Sequence, residues 1–276
     1  MSRQERWTAL YRAVVYDPDA DPVILVNKAG IRDFATLEKF EREQVKDRAI
    51  QPPPSAALAQ TSEGLRALHH HLFQDVYDWA GEYRSYPTSR GQHFSLPEYI
   101  SGHTDLVFRG IQEENALRGL PPDQFAARAA HYVNRLNSIH PFIDGNGRTQ
   151  RTWLRHTADA AGYRIRFREG DRGPWNDASM LGHLTADNPQ SGYKTDDPMA
   201  LFILSHLEYR DRDRRVSLPR DADQLANMYQ TAAANIRQEL SSKESHEHYR
   251  DAVSRAVKKT EDRLPDRDKD RGGRSR

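Results

Sequence analysis

The chain has 276 residues with 41 basic and 40 acidic side chains, and a net charge of only +1 makes no global electrostatic case for nucleic acid or an anionic membrane. It holds no cysteine, which excludes thiolate catalysis and Cys-ligated zinc and fits a reducing, cytoplasmic setting. The densest early apolar run, Pro22 to Val26, is far too short to span a bilayer, and the first residues carry no signal-like core. The expectation is a cytoplasmic protein with neither a nucleic-acid nor a membrane partner.

The first helical pattern is a charged segment around Phe34 to Asp47, closed by Gln51-Pro52-Pro53-Pro54. His69-His70-His71 follow on a second helix. Adjacent helix positions point about 100° apart, so the three imidazoles do not converge on one metal ion, and at least one is expected to be packing. Helical periodicity fails between Tyr83 and Tyr99. There Tyr83 and Tyr86 flank Pro87-Thr88-Ser89-Arg90-Gly91, with His93-Phe94 beyond, which predicts a short hairpin with a glycine-bearing turn.

Phe125, Ala129, Tyr132, Leu136 and Ile139 recur at steps of three and four, and so predict an amphipathic helix. Trp153, Leu154, Ala158 and Ala161 predict another. The loop between them carries the chemistry: His140-Pro141-Phe142-Ile143-Asp144-Gly145-Asn146-Gly147-Arg148-Thr149-Gln150-Arg151. Gly145-Asn146-Gly147 can take backbone conformations closed to bulkier residues and so aim amides into one concavity at a helix N-terminus, a natural phosphate site. Arg148 and Arg151, three apart, project to one side as permanent cations able to bind phosphate bidentately. Asp144 is a hard carboxylate suited to holding Mg²⁺ against phosphate oxygens. His140 titrates near neutrality, as a base for an attacking hydroxyl requires. Asp-Gly-Asn-Gly is also a common turn, and histidine often ends helices. A plain turn, however, needs neither the arginine pair nor His-Pro-Phe. The Gly-Lys-[Ser/Thr] ending of a Walker loop is missing.

This segment resembles the Fic family signature, His-x-Phe-x-[Asp/Glu]-Gly-Asn-Gly-Arg-x-x-Arg, with every defined position met. Leu68 to Arg84 is similar to the family's pre-motif region with its Trp-Ala-Gly-Glu element, and Asn27-Lys28-Ala29-Gly30-Ile31 to its N-terminal segment. The resemblance implies an all-α, Fic-type helical core with a short β-hairpin flap beside the active site. It implies transfer of AMP from ATP to a Ser, Thr or Tyr hydroxyl of a target protein, with release of pyrophosphate. By position, His140 would be the general base and Asp144 the ligand of Mg²⁺ or Mn²⁺. Gly145, Asn146 and Gly147 would cradle phosphates, and Arg148 and Arg151 would grip the β and γ groups. The flap residues Gly91, Gln92, His93 and Phe94 would bind the target's backbone. The alternatives are a Fic-fold transferase of phosphate, UMP or phosphocholine, and a non-enzymatic adaptor.

The division expected is an N-terminal segment and helix over 1–60, a Fic catalytic core over 61–210, a helical extension over 211–257 and a charged, disordered tail over 258–276. Leu225, Met228, Ala232 and Ile236 would form the apolar face of the extension. The tail is loosely similar to the charged C-terminal signals of family members exported by type IV secretion. Many Fic proteins are inhibited by a helix carrying [Ser/Thr]-x-x-x-Glu-[Gly/Asn], whose glutamate pairs with the second motif arginine, here Arg151. The pairs Glu63-Gly64, Glu114-Asn115 and Glu169-Gly170 are preceded four residues earlier by Ala59, Gly110 and Ile165, so none completes that motif. Restraint is therefore expected from a separate antitoxin-like protein supplying the glutamate in trans.

Overall fold

The computed structural model describes residues 2–90, 92–184, 196–211 and 216–244. Helix α1 (Arg3–Ala13) starts on a reciprocal capping box between Ser2 and Glu5 and buries Trp7 and Tyr11 beside Tyr86. Asp33 caps α2 (Phe34–Ile50) by accepting from the Thr36 amide. Leu37, Glu41 and Val45 make its buried face, packed on α3 (Ser62–Phe73) through Leu72 and Phe73 and on Tyr77 just beyond that helix. After the prolines comes one 3₁₀ turn, Ser55–Leu58, before Thr61 caps α3.

The hairpin is present but smaller than its aromatic flanks suggested. Strands β1 (Ser89–Arg90) and β2 (Gln92–His93) pair antiparallel with Ser89 opposite His93, while Tyr86 belongs to the α1 cluster. The turn residue Gly91 lies outside the described residues.

Helices α4 (Pro97–Glu113) and α5 (Pro122–Ile139) both start with proline in the first turn, where no amide partner is lost. The face of α5 formed by Phe125, Ala129, Val133 and Leu136 is fully buried, and the helix packs against α4, α6 (Asn146–Ala160), α7 (Arg172–Leu184) and α8 (Asp197–His206). At about 1.5–3 kcal/mol for each large apolar side chain buried, this helix anchors the core and fixes where its C-terminal end points.

A second small sheet joins β3 (Tyr163–Ile165) to β4 (Leu207–Tyr209), with Arg164 opposite Glu208. Nothing in two three-residue runs signals a strand from sequence. Helix α9 (Ala222–Glu244) lies on α7 and α8 through Leu225, Tyr229, Ala233 and Ile236. Met228 is 43% exposed, so the apolar face runs through Tyr229 and not through Met228 as expected. Residues 245–276, including the expected tail, lie outside the described residues. No helix among those described is long and apolar enough to cross a membrane.

Candidate active site

Helix α5 stops because His140 turns left-handed (φ 50°, ψ 63°), its N–H still donating to the Leu136 carbonyl. The chain re-enters a helix at Gly145, also left-handed at φ 79°. A Cβ there would lie 2.3 Å from the Phe73 ring, so conformation and space both demand glycine. Asn146 is buried, and its side chain accepts from the Phe142 amide at 3.0 Å and donates to the Phe142 carbonyl at 2.8 Å. That exchange closes the loop and fixes the Asn146 side chain on the Phe142 backbone. Gly145 has no side chain to cap α6, so the first amides of the helix receive no hydrogen bond from an N-cap side chain.

Arg84, 2% exposed, clamps this loop. It donates to the carbonyls of His140 (2.7 Å), Ile139 (3.0 Å), Tyr86 (2.8 Å) and Ser95. One buried cation thus ties the C-terminal carbonyls of α5 to both sides of the hairpin. From β2 the chain runs to Phe94, whose ring stacks on His140 at 4.0 Å and on His183 at 4.7 Å. Phe94 therefore faces inward over the base candidate, while His93 is exposed.

His69 supports the loop from beneath. It accepts the Gly81 N–H on Nδ1 (2.8 Å), which puts the ring proton on Nε2, where it donates to the Asp144 carbonyl (3.0 Å). Complete burial pulls its pKa down to about 4. His71 is also buried, against the Arg48 carbonyl, and His70 is exposed. Two of the three histidines are thus structural, and no group of metal-ligating side chains occurs among the described residues.

The two motif arginines stand in opposite surroundings. Arg148 pairs with Glu41 of α2, reaches Asp144 Oδ2 at 3.3 Å and lies over the Phe73 ring at 4.6 Å. Burial opposes its charge, but Asp144 and Glu41 outweigh that and raise its pKa. Glu41 is itself buried and accepts from the Tyr77 hydroxyl; burial pushes its carboxyl upward and Arg148 opposes the shift. Arg151, by contrast, lies over Trp175 at 5.4 Å and makes no hydrogen bond or ion pair with any described residue. Burial, with Arg148, Arg172 and Arg155 nearby, lowers its pKa to about 10.

A cavity of about 180 Å³ brings His140, Asp144, Asn146 and Gly147 together with Phe94 and residues of α7, among them Trp175, Asn176 and Ser179. The Gly147 Cβ position is 3.4 Å from Arg151 Nη1, which sets that guanidinium at the cavity's edge. Asp144 is about half exposed, with Oδ1 accepting from the Gly145 amide. A single hard carboxylate beside an anion-seeking helix end suits Mg²⁺, which takes one or two protein carboxylates and fills its shell with water and phosphate. Sequence reasoning missed Arg84, Glu41 and the α7 wall, whose roles depend on tertiary position, and foresaw a packed histidine among His69, His70 and His71 without its tie to Asp144.

The family model described as Fic/DOC family matches residues 59–158. Over 160 residues the chain is 36% identical to "Probable protein adenylyltransferase y4lH" of Sinorhizobium fredii, covering 55% of this chain and 82% of that protein. It is 30% identical over 206 residues to "Protein adenylyltransferase VbhT" of Bartonella schoenbuchensis, covering 73% of this chain but only 41% of VbhT. Its fold is similar to the crystal structure, with bound ADP, of the N-terminal Fic domain of a VirB-translocated Bep effector protein from Bartonella quintana. The TM-score is 0.63 at 25% identity, covering 73% of this chain and 97% of that one.

Proposed function

The chain belongs to the Fic/DOC family, and from that premise we propose that it transfers AMP from ATP to a hydroxyl side chain of a target protein, releasing pyrophosphate. The carrying observation is Arg151, a largely buried guanidinium among other arginines with no carboxylate partner among the described residues. Such a group calls for a polyanion, and the uncapped start of α6 lies beside it in the same cavity as His140.

In this reading the target hydroxyl oxygen attacks the α-phosphorus, and the bond to the oxygen bridging the α and β phosphates breaks. His140 takes the hydroxyl proton, its ring held by Phe94 and its backbone by Arg84. Arg151 and the Asn146 and Gly147 amides hold the phosphates and stabilise the departing pyrophosphate. Asp144 would hold Mg²⁺ or Mn²⁺, which when bound neutralises phosphate charge. Arg148, expected to share the phosphate grip, is already engaged by Glu41 and Asp144. The hairpin strands β1 and β2 would add the target's backbone as a further strand. The working division is a catalytic core over 61–210, preceded by 1–60 and followed by 211–257.

Among the described residues no carboxylate reaches Arg151 from within the chain. Any restraint is assigned to a separate antitoxin-like protein that would supply a glutamate in trans. The VirB-translocated Bartonella proteins of similar fold motivate type IV export as a second assignment, with 258–276 as the signal. The transfer reading is tested by incubating the protein and a cell lysate with ATP labelled at the α or the γ phosphate. Label retained only from the α position supports AMP transfer, and label from γ overturns it in favour of phosphorylation.

A further inference from the structure

Helix α2 lies upstream of the 59–158 stretch that the family model matches, yet its buried face places a glutamate between Leu37 and Val45. A carboxylate in that position costs several kcal/mol unless it is paired and hydrogen-bonded. Glu41 meets both conditions: the Tyr77 hydroxyl donates to Oε2, and Arg148 Nη1 pairs with Oε1. The other terminal nitrogen of Arg148 reaches Asp144, and the guanidinium face rests on Phe73. Three neighbours therefore fix this side chain. Turning it toward a phosphate would strand Glu41 in the core.

The charges point the same way. Around Arg148 one cation faces two carboxylates, Glu41 and Asp144, a locally negative cluster that attracts a divalent cation and repels bare polyphosphate. Around Arg151 the neighbouring charges are Arg148, Arg155 and Arg172, a locally positive cluster that attracts phosphate. Asp144 is anchored on its main-chain side by His69 and on its carboxylate by the Gly145 amide, with Arg148 as its side-chain neighbour.

We propose that Arg148 is a positioning residue, held by Glu41, which Tyr77 braces, that aims the Asp144 carboxylate at the divalent cation accompanying ATP, and that of the two motif arginines only Arg151 grips phosphate. The proposal rests on the reading of Asp144 as the metal-holding carboxylate. It makes helix α2 part of the site and divides the labour of the two motif arginines.

The test is ATP binding by calorimetry on the full chain, in EDTA and across a Mg²⁺ titration, for wild type, Glu41→Gln, Tyr77→Phe and Arg151→Ala. Removing an outer partner of a metal ligand typically weakens the metal by roughly 10–100-fold. Glu41→Gln is expected to raise the Mg²⁺ concentration for half-maximal enhancement of ATP binding by at least about tenfold, leaving affinity in EDTA within about twofold. Arg151→Ala should weaken ATP binding in both conditions. Tyr77→Phe, which removes one hydroxyl and guards against a misfolded Glu41 variant, should shift the Mg²⁺ requirement in the same direction by less. Tighter ATP binding by Glu41→Gln in EDTA would overturn the proposal, because it would make Glu41 an inhibitor withholding Arg148 from phosphate. An unchanged Mg²⁺ requirement in both Glu41→Gln and Tyr77→Phe would overturn it too. Wild-type protein that binds Mg²⁺ and ATP yet transfers no AMP would defeat the transfer reading and leave the positioning role standing.

Discussion

Replacing Arg84 by methionine keeps the apolar stem and removes the guanidinium, stranding the main-chain carbonyls of Ile139, His140, Tyr86 and Ser95 in a nearly water-free site. A hydrogen bond to a charged donor nets about 1.5–3 kcal/mol, but the four share one side chain and are not additive. Water entering beside the hairpin recovers part of the loss, so the expected destabilisation is about 3–5 kcal/mol. At roughly 2–4 °C per kcal/mol for a chain of this size, the melting temperature should fall by about 10 °C. Urea unfolding followed by tryptophan fluorescence measures the first quantity, and AMP transfer well below the melting temperature measures the second effect. Because Arg84 holds the His140 carbonyl, the still-folded variant should lose roughly 10²-fold in rate, the scale of a misplacement of about 1 Å. Arg84→Lys should recover part of the stability, since one ammonium cannot span four acceptors. A loss below about 1 kcal/mol would refute the clamp, and full transfer by a destabilised variant would confine Arg84 to stability.

His140→Ala should lower AMP transfer by roughly 10²–10⁴-fold and leave ATP affinity within a few-fold, as calorimetry would register. Gly145→Ala should destabilise by more than about 2 kcal/mol in urea, from the left-handed backbone and the collision with Phe73, and Phe73→Leu in the same chain should recover part of it. AMP transfer should vanish in EDTA and return with Mg²⁺ or Mn²⁺, and Asp144→Ala should need far more metal than wild type; full activity in EDTA would exclude the metal role. His69 has its pKa depressed to about 4 in the fold against about 6.5 unfolded, so its contribution is complete above pH 6.5 and fades as pH falls toward 4. In metal-free protein the stability gap between wild type and His69→Gln should therefore shrink by about 3 kcal/mol between pH 7 and pH 4, and a constant gap would contradict the buried neutral imidazole.

What the sequence makes legible here is periodic or contiguous. The α5 face repeats at three and four, so the helix and its end at His140 can be read directly, and the loop follows as a single run of residues. The hairpin was foreseeable from Gly91 and its flanks, although its strands span only two residues each because Tyr86 is drawn into the α1 cluster. Strands β3 and β4 lie more than forty residues apart and are three residues long, too short for a period to show. Met228 was misplaced by one helical position: it fits a stripe with Leu225 and Ala232, but α7 and α8 meet α9 along Tyr229 and Ala233.

The rest of the site is illegible for a different reason. Glu41, Arg84 and His69 are polar residues in segments that read as ordinary charged helix or loop, and their meaning comes from burial. Leu37-x-x-x-Glu41-x-x-x-Val45 is the one trace of this: a carboxylate on the apolar stripe of α2 must be paired, since a buried lone charge is not tolerated. That stripe says a cation is owed to position 41 without saying which of 41 basic residues supplies it. The structure supplies Arg148, 107 residues away, and so leaves Arg151 as the motif cation without a counter-charge among the described residues. A motif that reads as two equivalent arginines in sequence thus becomes an inequivalent pair once α2 is packed, one paired with Glu41 and Asp144 and one with no carboxylate partner among the described residues. The same reasoning predicts that exchanging the two environments fails. In Glu41→Gln/Arg151→Gln, an unpaired Arg148 should not restore the ATP affinity lost with Arg151, because the Asp144 and Phe73 contacts still hold it away from the start of α6. Recovery of wild-type ATP affinity in that double variant would show the two arginines to be interchangeable after all.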